Sequence, residues 1–375
     1  MGDSKFGGGS IVILELAQAA AAAGWRVEVL TTDPEFTAHL EAAGIAVVPF
    51  GGICRAISPL RDLSALIRLV TFLRKRPYTV VHTHTSKAGF VGRLAARIAR
   101  VPIIVHTLHG FAFHEYSGKL TVSVYAALER LAAHCCDRVV TVSRFHRDWA
   151  LRLAIGDSSK VFCIPNGVAS HQVPDGTRER YRKTLGIAPD ESVILAVGRL
   201  AALKGMEHLI DAARILESTA PTAFRVLIVG DGPIRQLLED KARSVGVLHR
   251  THFLGFRTDV HELLSACDIV ALPTQREGLS IALLEAMSAA KPIVTTTIGS
   301  NKEVCGPSQC AILVPPEDPG ALAGAITELI QSPQRSADIA ARARSAFERD
   351  YRLDRMLAAY HELYLELIAR RANDD

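Results

Sequence analysis

The sequence lacks the patterns that mark membrane-spanning and secreted proteins. No apolar run reaches the ~18 residues that a membrane-spanning helix needs, and the Ala-rich segment 17–23 is interrupted by Gln18. No basic segment followed by an apolar stretch and a cleavage site is present, so we expect no signal peptide. We therefore expect a folded cytoplasmic protein.

Cysteine pairs and metal-ligand patterns are also missing. The seven cysteines are odd in number and form no Cys-x-x-Cys pair, which gives no support to a disulfide framework or a zinc site. A reducing compartment is the simplest interpretation. The neighbouring Cys135 and Cys136 are expected to pack in a core rather than to act in redox chemistry. His82 and His84 have no third ligand nearby in the sequence, so no metal is expected.

Aromatic residues are few, and the charge is uneven along the chain. Aromatic residues make up 6% of the sequence and are not interleaved with the basic residues, which disfavours nucleic-acid binding. The net charge is +4, but residues 1–170 hold 19 Lys and Arg against 12 Asp and Glu, so they carry +7 and the remainder carries −3. A basic first half favours an anionic partner there, such as a membrane surface or a phosphorylated acceptor.

Strand and helix signals alternate along the chain and restart once. The restart follows a polar stretch at 172–176, which is expected to belong to a linker. Repeated strand–helix alternation predicts an α/β fold with parallel sheets built from right-handed β-α-β units. Two such Rossmann-like domains predict a cleft between them, with a ligand against the carboxyl ends of both sheets.

The chain starts on a glycine-rich loop, Gly7-Gly8-Gly9-Ser10, and we expect residues 11–23 to form the helix that this loop opens. Such loops bring the backbone close to a ligand, but no Gly-Lys-Ser/Thr follows, so this is not a Walker loop. A loop of this kind normally follows a strand, and none precedes it here. We therefore expect the first domain to lack its first strand in this sequence and the natural chain to begin upstream.

A basic amphipathic helix is predicted from Ser58 to Arg76. Ser58 and Pro59 are typical of a helix start. The predicted core-facing residues are Leu60, Leu63, Ile67, Val70 and Leu73, and the opposite face is rich in arginine. A packed surface helix is the simpler interpretation, and a surface facing anionic lipid is the alternative.

The most informative stretch is Glu277-Gly278-Leu279-Ser280-Ile281-Ala282-Leu283-Leu284-Glu285, between a predicted strand and a predicted helix. Free backbone N–H groups at that helix start favour a phosphate, and carboxylates on either side suit sugar and ribose hydroxyls. Arg199 and Lys204 follow another strand, where they can clamp a diphosphate. The loop 230–233, which contains Gly230 and Gly232, is small enough for a flat base to approach.

Polar loops at two strand ends of the first half are further candidates. His84, Ser86 and Lys87 follow one predicted strand, and His109 with Gly110 follows the next. In open α/β sheets this is the end at which ligands bind. We assign His84, Ser86 and Lys87 to the side of the predicted ligand site that would face a second substrate, the acceptor.

Together these motifs resemble glycosyltransferase family 4, whose members are retaining enzymes with the two-domain GT-B fold. The resemblance rests on Gly198-Arg199-Leu200 with Lys204-Gly205, on Gly230-Asp231-Gly232-Pro233, and on Glu277 and Glu285 with seven residues between them. It covers nearly the whole chain. The segments 82–89 and 106–114 are similar to the subset that builds bacterial capsule, exopolysaccharide or lipid-linked glycans.

The resemblance implies roles for individual residues. Arg199 and Lys204 would hold the donor diphosphate and stabilise the leaving group, Glu285 would bind the ribose, Glu277 the donor sugar, and His109 would contact that sugar near the anomeric carbon. The implied catalytic residues are His109, Arg199, Lys204 and Glu277. The implied donor-binding residues are Gly8, Gly9, Arg199, Lys204, Gly230, Gly232, Glu277, Gly278, Leu279, Ser280 and Glu285.

The resemblance further implies a hexosyl- or N-acetylhexosaminyltransferase that needs no metal or other cofactor. Its donor would be a nucleoside diphosphate sugar, expected to be UDP-linked, and its acceptor a glycan or lipid-linked precursor at the inner face of the membrane. The implied domains are an acceptor-side domain at 1–170, a donor domain at 177–350, and a helix at 351–375 that packs back on the first domain. The alternatives are a nucleotide-sugar epimerase of the same fold and a non-catalytic nucleotide-sugar-binding protein.

Overall fold

The structure of the protein is a computed structural model that describes residues 7–53, 58–113 and 117–374. The chain divides into two compact units. Unit 1 comprises Met1–Asn166 and Asp354–Asp375, and unit 2 comprises Gly167–Leu353. The first boundary therefore falls before the polar stretch at 172–176. The residues before Gly7, together with Cys54 and His114, lie outside the described ranges.

Unit 1 alternates strands and helices, as the sequence predicts. Its elements are α1 (Gly8–Ala22), β1 (Glu28–Thr31), α2 (Pro34–Ala42), β2 (Ala46–Pro49), α3 (Pro59–Arg74), β3 (Val80–His84), α4 (Ser86–Ala99), β4 (Ile103–Leu108), α5 (Lys119–Ala133), β5 (Arg138–Thr141), α6 (Arg144–Arg152) and β6 (Val161–Cys163). Strands β3-β4-β5-β6 form one parallel sheet, and β1 pairs with β2 in a separate one. A cavity of about 670 Å³ is lined by residues of both β1 and β3.

Unit 2 repeats the alternation with a six-stranded parallel sheet. Its elements are α7 (Thr177–Thr184), β7 (Ser192–Val197), α8 (Met206–Thr219), β8 (Phe224–Val229), α9 (Arg235–Ser244), β9 (Thr251–Gly255), α10 (Val260–Ala266), β10 (Ile269–Leu272), α11 (Ile281–Ser288), β11 (Ile293–Thr296), α12 (Gly299–Cys305), β12 (Ile312–Val314), α13 (Pro319–Gln331) and α14 (Pro333–Asp350). The strand order β9-β8-β7-β10-β11-β12 reverses direction between β7 and β10. Ligands of doubly wound sheets bind at such a reversal.

The α/β prediction with parallel sheets in two domains is confirmed. Its physical basis is visible in β7, β8 and β10, which are almost entirely buried and read as continuous apolar runs because helices cover both faces of a parallel sheet.

The last helix, α15 (Leu353–Asp374), packs on unit 1 through two tyrosines. The hydroxyl of Tyr364 lies 2.6 Å from Nδ1 of His82, and that of Tyr360 lies 2.9 Å from Oγ1 of Thr107. Burial raises the pKa of both phenols. The helix thus supplies buried hydrogen-bonding groups to residues of β3 and β4.

The predicted core face of α3 is wrong in part. Leu60, Leu63 and Ile67 are 84%, 54% and 58% exposed, whereas Val70 and Leu73 are buried as expected. The helix instead turns Ala65, Leu69, Val70 and Leu73 inward. The sequence has apolar residues on more than one side of this helix, and periodicity alone does not tell which stripe meets the core.

Glu129 on α5 forms a buried ion pair that should matter for stability. Its carboxylate accepts from Nη2 of Arg93 at 2.8 Å, and Arg93 is fully buried. Glu129→Ala leaves a buried guanidinium without its counter-charge, so we expect a loss of about 3–5 kcal/mol in the free energy of unfolding. Urea unfolding followed by tryptophan fluorescence measures it, because Trp25 and Trp149 both lie in unit 1.

The control is the double variant Arg93→Met/Glu129→Leu, which removes both charges while keeping side-chain volume. It should unfold closer to the wild-type midpoint than Glu129→Ala does, because no charge is left buried alone. A double variant that is less stable than the single one would contradict this account.

Candidate functional site

The candidate site of unit 2 lies where the strand order reverses. The loop after β7 runs from Gly198 to Gly205, and the loop after β10 runs from Pro273 to Ser280. Because β7 and β10 are paired neighbours, their carboxyl ends bring the two loops side by side. The structure thereby gathers Arg199, Lys204 and Glu277 at one edge of the sheet.

Backbone contacts lock the two loops together. The carbonyl of Leu203 accepts hydrogen bonds from the N–H of Gln275 at 2.9 Å and from the hydroxyl of Thr274 at 3.2 Å. Leu203 has a φ of +69°, in the left-handed region that is unfavourable for a residue with a bulky side chain. Such a conformation persists where the surroundings impose it. A Cβ on Gly205 would lie 1.9 Å from the carbonyl oxygen of Pro273. Only glycine allows this approach.

Gly205→Ala should therefore destabilise unit 2 more than an ordinary glycine substitution. Gly246 is a matched control, because its φ of +81° is similar to the +71° of Gly205 but no atom lies within 4 Å of its Cβ position. Both variants incur backbone strain, and Gly205→Ala adds overpacking worth about 1–3 kcal/mol. Urea unfolding followed by circular dichroism compares them. Equal stabilities would show that the two loops do not need this close contact.

Lys204 and Glu277 form an ion pair across the two loops. Their side chains are 29% and 17% exposed, so the pair is partly shielded from water. The backbone carbonyl of Glu277 also accepts from the hydroxyl of Ser300, which lies at the start of α12, at 3.2 Å. An ammonium has three donors, so Lys204 can hold Glu277 and still donate to a phosphate.

Glu285 is a half-buried carboxylate on α11. Burial raises its pKa to about 7. Within the described part of the chain, its side chain has no hydrogen-bond or ion-pair partner. The helix begins after Ser280, whose hydroxyl accepts from the N–H of Leu283 at 3.3 Å. An unpartnered acceptor of this kind suits the hydroxyl groups of a ligand.

The remaining donor-side candidates lie in the same region. Arg199 is half-buried in the loop after β7, and Gly278, Leu279 and Ser280 are buried at the start of α11.

Gly230 and Gly232 pack closely against the loop after β7. A Cβ on Gly230 would lie 2.0 Å from the carbonyl oxygen of Gly198, and one on Gly232 would lie 2.1 Å from that of Leu200. The N–H of Leu200 donates to the carbonyl of Asp231 at 2.9 Å. These glycines are thus required by packing against the loop after β7. Their Cβ positions face protein backbone.

In unit 1 the structure brings two predicted histidines together. Nδ1 of His84 and Nε2 of His109 lie 3.1 Å apart, and their rings are stacked with centroids at 5.3 Å. Burial lowers the pKa of His109 to about 4 and that of His84 well below its usual value. Both rings are therefore neutral at pH 7. A Cβ on Gly9 would lie 3.7 Å from the His109 ring, so Gly9 also belongs to this cluster.

The other unit 1 candidates lie in the first turns of α4 and α1. Lys87 forms an ion pair with Asp62 of α3 at 2.7 Å. Ser86 is the first residue of α4. Gly8 and Gly9 lie in the first turn of α1 rather than in a loop before it.

Several residues of these sites were not identified from the sequence. Ser300 follows β11, so its place after a parallel strand was a usable signal. Gln275 contacts His208 on α8 at 2.9 Å, and no sequence pattern pointed to that pair. In the described ranges there is no group of three or more His, Cys, Asp or Glu that could hold a metal. Within the same ranges, no helix is long and apolar enough to span a bilayer.

Family comparisons match nearly the whole chain. The model for glycosyl transferases group 1 matches residues 177–346, and that for the glycosyl transferase 4-like domain matches residues 7–167. The two matches follow the division into unit 2 and unit 1.

Individual proteins show the same similarity. A UDP-Gal:alpha-D-GlcNAc-diphosphoundecaprenol alpha-1,3-galactosyltransferase of Escherichia coli is 35% identical over 66% of this chain, and the match spans 65% of that relative. A D-inositol 3-phosphate glycosyltransferase of Xylanimonas cellulosilytica is 28% identical over 99% of this chain and 94% of its own length. The structure of Anabaena HepE in complex with UDP-glucose superposes with a TM-score of 0.85 at 25% identity, covering 98% of both chains.

Proposed function

Because the chain belongs to the family 4 glycosyltransferases of the GT-B fold, we propose that it is a retaining glycosyltransferase that uses a nucleoside diphosphate sugar, with UDP as the expected nucleotide. The observation that carries the proposal is the Lys204–Glu277 ion pair beside the unpartnered carboxylate of Glu285, at the point where the sheet of unit 2 reverses. A cation, an anchored carboxylate and a free one suit a diphosphate, a sugar and a ribose.

Each residue has a proposed role in that reaction. Lys204 and Arg199 hold the diphosphate and stabilise the negative charge that grows as it leaves. Glu277 accepts hydrogen bonds from hydroxyls of the donor sugar, and Glu285 does so from the ribose. His109 contacts the donor sugar near the anomeric carbon.

Retention is proposed to proceed by attack on the face from which the diphosphate leaves. The acceptor oxygen forms its bond to the anomeric carbon as the bond to the phosphate oxygen breaks, and that phosphate oxygen takes the acceptor proton. Glu277 is held by Lys204, which makes it a poor covalent nucleophile. We further propose that no metal is needed, because the two cations and the start of α11 supply positive charge to the diphosphate.

The acceptor is proposed to be a lipid-linked glycan at the inner face of the membrane. The named acceptor of the Escherichia coli relative is a diphosphoundecaprenol-linked sugar. The named acceptor of the Xylanimonas relative is an inositol phosphate, which gives the competing class.

An exposed apolar stripe on α5 supports a peripheral membrane contact. Leu120, Val124, Leu128 and Leu131 recur at helical spacing and are 78%, 51%, 41% and 60% exposed. No exposed position of α5 is acidic, since Glu129 is buried with Arg93. Leu60, Leu63 and Ile67 add a second exposed stripe on α3.

Charge around these helices has the sign that anionic lipid requires. Residues 59–134 hold eleven Lys and Arg against three acidic residues. Of those three, Asp62 is paired with Lys87 and Glu129 with Arg93, while Glu115 lies outside the described ranges. We propose that α3 and α5 rest on an anionic bilayer, with leucines in the interface and arginines at the phosphates.

Vesicle flotation tests this contact. The protein should float with phosphatidylglycerol-containing vesicles, bind pure phosphatidylcholine much less, and lose binding in Leu120→Ser/Leu128→Ser/Leu131→Ser. Leu237→Ser in unit 2 is the control, because Leu237 is 67% exposed on α9. Equal flotation of the triple variant would remove α5 from the proposed surface.

Transfer assays test the function itself. Purified protein would receive a panel of UDP-sugars with a polyprenyl diphosphate-linked sugar or with inositol phosphate, with and without EDTA. We expect transfer to the lipid-linked sugar, no effect of EDTA, and an anomeric configuration in the product that matches the donor. Conversion of the donor without an acceptor would indicate an epimerase, and binding without turnover would indicate a non-catalytic protein.

A further inference from the structure

His84 and His109 form a hydrogen bond between two imidazoles, and a rigid framework holds it. The ring of His82 lies behind that of His84, with centroids 4.1 Å apart. Both nitrogens of His82 are engaged, Nδ1 with Tyr364 at 2.6 Å and Nε2 with Thr107 at 2.8 Å. The His84 ring therefore packs against the ring of His82, and hydrogen bonds at both nitrogens prevent the His82 ring from rotating.

The backbone next to His84 is strained. Thr85 has a φ of +64° and a ψ of 159°, and a β-branched residue avoids positive φ. Its carbonyl accepts from the N–H of Gly89 at 3.0 Å in the first turn of α4. Strain of about 1–3 kcal/mol persists only where the surroundings impose it, and it is concentrated at functional positions. The strained residue turns the chain from the end of β3, where His84 lies, into α4.

The hydrogen bond has a chemical consequence for His109. Two neutral imidazoles share one proton across such a contact, so the tautomer of one ring fixes that of the other. Nε2 of His109 is used by His84, and Nδ1 has no hydrogen-bond partner among the described residues. Nδ1 is thus the nitrogen that is left for a substrate.

We propose that His84 is a positioning residue that holds His109 in one tautomer and one ring orientation, so that Nδ1 of His109 meets the donor sugar. This inference rests on the proposed function, in which His109 contacts that sugar. It replaces the acceptor contact that the sequence suggests for His84. The effect acts through His109, and His84 itself does not touch the substrate.

Three substitutions separate positioning from simple packing. His84→Phe keeps a ring and removes both nitrogens. His84→Asn places an amide near the position of Nδ1, whereas His84→Gln places it further out, where Nε2 lies. We expect kcat to fall about 10- to 100-fold in His84→Phe and His84→Gln, by analogy with the loss of the outer hydrogen-bond partner of a metal-bound histidine. His84→Asn should recover most of the loss, with KM for the donor little changed in all three.

Nitrogen-15 NMR of histidine-labelled protein gives a readout that needs no substrate. The wild-type spectrum should show His109 in a single tautomer, and His84→Phe should show a mixture. A mixture in the wild type, or an unchanged tautomer in His84→Phe, would overturn the proposal whether or not the protein transfers sugar. A changed tautomer with unchanged kcat in an active enzyme would also overturn it.

Absence of transfer by the wild type would instead count against the proposed function alone, and the NMR result would still stand. If His84→Phe does not fold, His84→Gln serves in its place.

Discussion

Lys204→Ala should lower kcat/KM for sugar transfer about 100- to 1000-fold, the loss that follows removal of one group that stabilises a developing negative charge. Lys204 is the cation of the ion pair that joins the loops after β7 and β10. Its removal takes a charge from the diphosphate and leaves Glu277 without its partner. Steady-state kinetics with the donor identified in the transfer assay measures the effect.

The double variant Lys204→Ala/Glu277→Ala tests whether the pair acts as a unit. The effects of substituting residues that act together are not additive. The kcat/KM of the double variant should therefore be little lower than that of the less active single variant. Lys241→Ala is the matched control, because Lys241 forms an ion pair with Asp211 in the same unit at similar exposure. A loss in Lys241→Ala equal to that in Lys204→Ala would assign the effect to stability rather than to the site.

Mild acid should destabilise unit 1 strongly. Burial lowers the pKa of His82 to about 3 and of His109 and His146 to about 4, and it holds His84 and His106 well below the usual value. Below about pH 6.5 these histidines take up protons in the unfolded chain but stay neutral in the folded unit. The free energy of unfolding therefore decreases as the pH is lowered. Each such histidine costs about 2 kcal/mol by pH 5, and several together approach the stability of a whole domain.

Urea midpoints between pH 7.5 and 5, read by the fluorescence of Trp25 and Trp149, measure this loss in unit 1. In unit 2, the effect of Glu285 on stability has the opposite dependence on pH. Its pKa is raised to about 7, so the folded state gains a proton as pH falls through that value and is stabilised by it. A midpoint for unit 1 that stays constant down to pH 5 would contradict the buried neutral histidines.

The alternation of elements was predictable because each strand is a short apolar run and each helix begins and ends at recognisable residues. Ser280 shows this at the site, where its hydroxyl caps α11 as Ser-type residues do. The meeting of Lys204 with Glu277 follows from the same reasoning, because parallel strands place their following loops at one edge.

Other features depend on neighbours that no local pattern reveals. Positions 230 and 232 require glycine because the carbonyls of Gly198 and Leu200 lie against them. The hydrogen bond between His84 and His109 depends on the register of β3 with β4. On α3, apolar residues lie on several sides, so only the packed structure tells that Leu60 is exposed.

Calorimetric titration of UDP-sugars into the purified protein, with and without EDTA, is the measurement that tests the donor site most directly. At least one UDP-sugar should bind the wild type and Lys241→Ala with equal affinity, EDTA should have no effect, and binding should be lost in Lys204→Ala. Binding that persists unchanged in Lys204→Ala, or no binding by any UDP-sugar, would contradict the proposed donor site.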